Sequence, residues 1–368
     1  MTTARIKHLI SILQDTEFSL LVLNPGASLT YLTGLDFHRM ERPVVLWISI
    51  DGKIAIVLPA LEVAKLSLTP ADIRAFPYSD DPRTWQNAFH KAAKYLNMHQ
   101  PVIGVEFNNL RLFEYHFLEA AFPESRLRNA DQILAPLRMI KEDKEVTAMR
   151  KAVRIAQSAL QATLPVIKPG ITEKEVASEL IIQLLKAGSQ PQLPFNPIVA
   201  SGPNSANPHA APSDRPLKVG DLLVIDWGAF YDGYCSDLTR TFSVGEIDPE
   251  LEKVHHLVEK ANQTSLLAVQ PGKTAGSVDQ TARNIIQAGG YGNYFTHRTG
   301  HGLGMEAHEP PYIYQENDQP LQEGMTFTIE PGIYLPGKGG VRIEDNVLVT
   351  ESGRECLTDL PRHLQKLG

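Results

Sequence analysis

From about residue 140 onward the chain repeats itself, and this constrains its fold more than any single motif. Pro169-Gly170-Ile171-Thr172 recurs as Pro271-Gly272-Lys273-Thr274. Each copy follows one helical run and precedes another that ends in glycine, at Gly188 and Gly290. The segment SGPNSANPH, ending at His209, resembles TGHGLGMEAH, ending at His308. Val219-Gly220 leads into LLVI-Asp226-Trp-Gly as Glu323-Gly324 leads into TFTI-Glu330-Pro-Gly, and Asp237 and Glu344 sit late in their halves. Landmarks in one order at a nearly constant offset predict two related halves about a pseudo-twofold axis. Each half would supply helices, a glycine-rich strand entry with a histidine, and two strand carboxylates. Thr172 to Glu175 also fits a capping box, in which two side chains satisfy the free N–H groups of a helix start.

The carboxylates are the chemically informative part. Asp226, Asp237, His301, Glu330 and Glu344 all lie in segments that otherwise read as buried strand. A bare carboxylate there is costly unless something neutralises it, so the set calls for a cation, and for more than one. Asp232-Gly233 suits a two-residue hairpin turn. Counting outward from it puts Asp226 opposite Thr239 and makes Asp237 its diagonal neighbour, at about 7–8 Å. Glu330 and Glu344 are equidistant from Gly337, so an odd-length loop sets them opposite each other. Arg342 shares the Glu344 face, either as a structural ion pair or as a substrate contact. His301 lies among Gly300, Gly302 and Gly304, where the backbone can approach a crowded site closely. Oxygen-rich ligation with one nitrogen and no sulfur favours Mn²⁺, with Co²⁺, Zn²⁺ and Fe²⁺ compatible. Four carboxylates match the charge of two divalent ions, a pairing suited to hydrolysis.

A chain of 368 residues with 43% hydrophobic and 21% charged residues predicts a packed globular protein of two domains. The net charge of -7 offers no basic surface for nucleic acid, no apolar run is long enough for a membrane span, and the start reads as an amphipathic helix and not as a signal peptide. Cys235 and Cys356 make neither a disulfide framework nor a zinc site; Cys235 reads as a small buried side chain. The expected compartment is the cytoplasm. Residues 1–135 alternate strand and helix signals, with a hairpin over VVLWISI, Asp51-Gly52 as a two-residue turn, and KIAIVLP. They are read as an α/β domain for substrate access and assembly. The charged stretch Lys141 to Glu145 marks the linker and first cap, and residues 140–368 form the second domain.

At these residues the chain resembles the pita-bread metallopeptidases (family M24), which include methionine aminopeptidase, Xaa-Pro aminopeptidase, Xaa-Pro dipeptidase and creatinase. The pattern DWG…SDLTRTF…HRTGHGLGMEAHE…TIEPGIY…VRIEDN carries the resemblance. It implies an α/β (α+β) fold: a C-terminal pita-bread domain with duplicated halves around an antiparallel sheet, behind a smaller N-terminal creatinase/prolidase-like α/β domain. It also implies Asp226 as ligand of one metal, His301 and Glu330 as ligands of the other, and Asp237 and Glu344 as bridges. Glu330 would be the base, His308 would stabilise the tetrahedral intermediate, and His209 would lie near the scissile amide. His297 matches a further active-site histidine, with a surface or supporting role as the plainer alternative. All five metal positions are kept, unlike in creatinase. The N-terminal domain, LNPGASLTYLTGL and RMIKEDKEVTAMRKA resemble the Xaa-Pro-cleaving branch, which implies a homodimer acting on small peptides. His38 and Arg39 read as a solvated loop within reach of substrate.

The expected function is therefore dinuclear metal-dependent hydrolysis of the Xaa-Pro bond. Dipeptidase and aminopeptidase both remain open, with a lean to the dipeptidase; Arg342, Arg298 or a partner-subunit residue would hold a free C-terminal carboxylate. A binding module on the same fold would have lost ligand positions, and none is lost. A dimetal phosphatase would need more basic clamps than Arg342 supplies.

Overall fold

The computed structural model describes residues 2–368. Two compact units divide at Arg138/Met139. The first is built on a six-stranded mixed sheet in the order Arg74–Tyr78, Ile54–Pro59, Val45–Ser49, Leu20–Leu23, Val102–Val105, Arg126–Asn129. Its core gathers Trp47 between Phe89 and Phe122, with ring centroids 5.9 and 5.5 Å away.

One turn differs from its expected form. Strands Val45–Ser49 and Ile54–Pro59 do pair antiparallel, but Ile48 faces Ile54 and the Ser49 N–H reaches the Lys53 carbonyl. The loop therefore has three residues, and within it Gly52 alone takes a positive φ, of 87°. A two-residue I′ turn needs positive φ at both centres. Here Asp51 instead accepts a hydrogen bond from the Ser49 hydroxyl. At Asp232-Gly233 both residues are positive, at 51° and 78°, and the two-residue turn forms as expected.

The second unit carries the duplication. Helices Asp143–Thr163 and Glu173–Lys186 precede strands Ile198–Ser201, Leu222–Trp227 and Leu238–Val244. Helices Pro249–Ala268 and Ala275–Ala288 precede Gly300–Gly302, Thr326–Ile329 and Asp345–Thr350. Each strand trio is antiparallel in chain order within its own sheet. The halves repeat in detail. Gly170 N–H donates to Leu217 O and Gly272 N–H to Leu321 O, each at 2.8 Å, and Thr172 and Thr274 make equivalent bridges to Pro216 and Pro320. The two sheets meet where Thr239 bridges Glu344.

The shared Pro-Gly-x-Thr landmark is a turn followed by a helix cap. The Thr172 hydroxyl accepts from Glu175 N–H, and the Glu175 carboxylate accepts from Thr172 N–H at 2.8 Å, closing the capping box. Thr274 caps Ser277 N–H, but the serine at that third position donates to the Thr274 carbonyl at 2.6 Å and leaves the Thr274 N–H without the reciprocal bond of a capping box. Thr172→Ala is therefore expected to cost about 1 kcal/mol and more than Thr274→Ala, read as the difference in denaturant midpoint. Equal midpoints would contradict the reciprocal box. Among the described residues no helix is long and apolar enough to cross a membrane.

Candidate metal centre

The hairpin register sets the first pair of acids. Asp226 pairs with Thr239 across the ladder, and the same register resumes beyond a break as Phe230–Cys235 and Tyr231–Tyr234 around the Asp232-Gly233 turn. Asp237 falls in the break. Its N–H donates to Asn346 Oδ1 at 3.1 Å, and the Asn346 amide returns a bond to the Asp237 carbonyl. This buried amide clamp from the other half fixes the backbone behind the carboxylate.

Parity sets the second pair. Ile329 faces Asp345 on one side and Gly332 faces Arg342 on the other. Both follow the register centred on Gly337, which leaves Glu330 across from Glu344, as the count around that glycine predicts. His301 enters from Gly300–Gly302, where the register shifts between His301 and Gly302; such irregularities re-aim a side chain beside a site.

These elements bring all five predicted ligand residues together. Asp226, Asp237 and Glu344 each offer an oxygen within 4.8 Å of the others, and His301, Glu330 and Glu344 do the same. Asp237, His301 and His308 make a third such group. Glu344 and Asp237 thus each belong to the Asp226 group and to a His301 group. His301 Nε2 lies 3.2 Å from Glu330 Oε1 and 3.7 Å from Asp237 Oδ2. Its Nδ1 is 3.2 Å from the Gly302 carbonyl, which can only accept, so Nδ1 carries the proton and the Nε2 lone pair points into the cluster.

The electrostatics demand a counter-charge. Burial, and then the charge of neighbouring carboxylates, pushes Asp237 and Glu344 well above the usual range. Burial likewise raises Asp226 despite Arg342. Burial would raise Glu330 too, but the imidazole of His301 beside it, and then His297 and Arg342, outweigh burial and hold it at about 2. Asp226 Oδ1 is buried and receives no hydrogen bond. Four converging acids, one correctly presented imidazole and an unclaimed buried carboxylate oxygen fit divalent cations of the oxygen-preferring kind.

The surrounding shell lines a cavity of about 570 Å³ that includes His209, His297, Arg298 and His308 with the four acids and His301. His308 stands edge-on to His301, with ring centroids 4.0 Å apart. Burial, and then His301, lowers it to about 4, so at neutral pH it is an uncharged N–H donor. His209 is exposed at the rim. Arg342 is 3% exposed and fully engaged: Nη2 donates to Asp226 Oδ2 at 2.6 Å, Nη1 to the Tyr334 hydroxyl at 3.0 Å, and Nε to Thr239 Oγ1 at 3.2 Å. The Thr239 hydroxyl in turn donates a hydrogen bond to Glu344 Oε2 at 2.7 Å. His297 Nδ1 donates to the Arg298 carbonyl at 2.7 Å, so its Nε2 accepts from Tyr334 at 2.8 Å.

Tyr334 and Asn346 were not singled out in the sequence, and Thr239 only as the register partner of Asp226. Parity reaches Tyr334, which pairs with Gly340 and so is the diagonal neighbour of Arg342. Nothing local points to Asn346. Cys235 is buried as expected, and burial pushes its thiol far up. In the charged stretch read as linker and first cap, Glu142 and Glu145 close a capping box, and Lys141 is buried and pairs with Glu309, next to His308, at 2.7 Å.

Comparison with known proteins bears on the same residues. Residues 147–351 match the model of metallopeptidase family M24, and residues 5–140 that of the creatinase/prolidase N-terminal domain. A putative dipeptidase of Bacillus subtilis is 36% identical over 98% of this chain and 99% of its own. An Xaa-Pro dipeptidase of Lactobacillus delbrueckii subsp. lactis is 36% identical over 96% of each. The crystal structure of a prolidase from Thermococcus sibiricus superposes with a TM-score of 0.95 at 35% identity, covering 100% of this chain and 99% of that one.

Proposed function

This chain belongs to metallopeptidase family M24, and we propose that it is a dinuclear Xaa-Pro dipeptidase. The observation that carries the dinuclear part is the overlap of the two ligand groups through Asp237 and Glu344. The names of the Lactobacillus and Thermococcus relatives support the Xaa-Pro part.

Asp226 would hold one cation and His301 with Glu330 the other, both bridged by Asp237 and Glu344; Mn²⁺ is the expected metal. Such a pair supplies Lewis acidity and a water of lowered pKa at neutral pH. Glu330 takes the proton of the attacking water and delivers it to the prolyl nitrogen as the C–N bond breaks. His308 donates a hydrogen bond to the carbonyl oxygen as charge develops there. His209, at the rim, lies toward the scissile amide. His297 and Arg342 define the wall through Tyr334, with Arg342 holding Asp226 in place.

The dipeptidase reading turns on the carboxylate of the product proline. Arg342 is already paired with Asp226, which leaves Arg298 as the lining cation for that charge; its guanidinium lies over the Tyr312 ring at 4.3 Å. Arg298→Ala is expected to raise KM for an Xaa-Pro dipeptide by about 10- to 100-fold, the worth of a charged hydrogen bond, with kcat changed less. An unchanged KM would remove Arg298 from that role.

The experiment for the whole reading sets an Xaa-Pro dipeptide beside an Xaa-Pro-Yaa tripeptide, with and without Mn²⁺. Cleavage of the dipeptide alone supports the dipeptidase; cleavage of the tripeptide reassigns the chain to the aminopeptidases. The proposed working form is a cytoplasmic homodimer, which light scattering of the purified chain checks for mass.

A further inference from the structure

The helix Pro249–Ala268 carries a second cluster of metal-binding side chains, none of which lines the catalytic cavity. His255, His256 and Glu259 each offer a ligand atom within 4.8 Å of the others. Glu259 sits four residues after His255 and three after His256, the two spacings that make neighbours on a helix surface. It therefore stands between the imidazoles, whose rings meet nearly edge-on at 83° with centroids 6.2 Å apart. His256 Nδ1 already lies 3.8 Å from Glu259 Oε2.

His255 is what makes the cluster unusual. It is 0% exposed, and neither ring nitrogen has a hydrogen-bond partner. The Thr241 backbone is near enough to act on the ring but lies outside hydrogen-bonding geometry. A buried imidazole with two unmet nitrogens is costly and uncommon. Burial, and then the neighbouring His256 and His363, lowers it to about 3, so at neutral pH it is an uncharged ring with a lone pair to give. His256 and Glu259 are the reverse case. Their side chains are 63% and 18% exposed, so both can turn toward an incoming ion.

We propose that His255, His256 and Glu259 form a peripheral binding site for a transition-metal cation of the Zn²⁺ class. Two imidazoles and one carboxylate are a ligand set zinc accepts, with further positions open to water. Mg²⁺ and Ca²⁺ prefer all-oxygen cages. The catalytic cluster is oxygen-rich with a single imidazole, so the two sites differ in the metals they favour.

The test counts zinc. Full-length wild type and the double variant His256→Ala/Glu259→Gln are equilibrated with Zn²⁺ alone, freed of unbound ion, and assayed for metal per chain. The double variant keeps the buried His255 and the whole catalytic cluster, so zinc held there cancels in the comparison. It is expected to hold one zinc fewer per chain. His255→Leu fills a similar volume without a nitrogen, and with its fold checked by circular dichroism it is expected to lose the same zinc. Equal zinc in wild type and double variant would overturn the site. A folded His255→Leu that keeps its zinc would overturn it as well, by showing that the buried ring is not a ligand.

Discussion

Glu330→Gln is expected to leave a folded protein that has lost about 10²- to 10⁴-fold in kcat on an Xaa-Pro dipeptide, the range for removing a general base. Glutamine keeps the shape of the side chain and its contact with His301, now 3.2 Å away, but cannot accept the proton of the attacking water. Two readouts separate this from collapse of the site. Near-ultraviolet circular dichroism should match wild type, because Glu330 lies at the end of a strand whose ladder, Thr326 to Ile329 against Asp345 to Leu348, does not use its side chain. Metal content should fall less steeply than activity, because Asp237, Glu344 and His301 remain. A variant that retains kcat within about tenfold would place the base elsewhere.

Gly300→Ala should have the largest structural effect of any one-carbon change near the site. A Cβ there would stand 1.9 Å from the Thr328 carbonyl oxygen and 3.1 Å from its hydroxyl oxygen. Backbone of a neighbouring strand cannot swing aside as a flexible side chain can. The cost should reach or pass the upper end of the usual overpacking range of about 1–3 kcal/mol, a fall in thermal midpoint of roughly 5–10 °C. The damage should also reach the metal site. The Thr328 hydroxyl accepts the His301 N–H at 3.2 Å and lies 3.3 Å from Glu330 Oε1, so displacing Thr328 moves two ligands. Gly300→Ala should therefore lower metal affinity and thermal stability together. A variant with unaltered midpoint and metal content would show that the strands separate more easily than this packing implies.

What could be read from the sequence was periodic or repeated. Parity around Gly337 placed Glu330 across from Glu344, and the Asp232-Gly233 turn placed Asp226 against Thr239, because side-chain period and turn length together determine a hairpin's register. The paired Pro-Gly-x-Thr landmarks gave the two halves, and Thr172 with Glu175 the first of the two helix caps; the cap at Thr274 came only with the structure. What could not be read depends on partners brought from the other half. Parity puts Arg342 on the face of Glu344, but only the folded sheet shows its guanidinium held between Asp226 and Tyr334. The Asn346 clamp on Asp237 spans 109 residues, and the burial of Lys141 depends on Glu309, 168 residues on. The Asp51-Gly52 turn was misread for a local reason: an Asp-Gly pair suits both the two-residue I′ turn and the three-residue loop that ends in a left-handed glycine, and composition alone does not choose between them.

The most direct test of the account is a metal titration. Protein stripped of metal is given increasing Mn²⁺, and hydrolysis of an Xaa-Pro dipeptide is followed against equivalents bound per chain. A shared cluster bridged by Asp237 and Glu344 predicts no cleavage without metal and a rate that levels off only once two equivalents are bound. Full activity at one equivalent would contradict the bridged pair, and cleavage by the stripped protein would contradict the metallopeptidase mechanism itself.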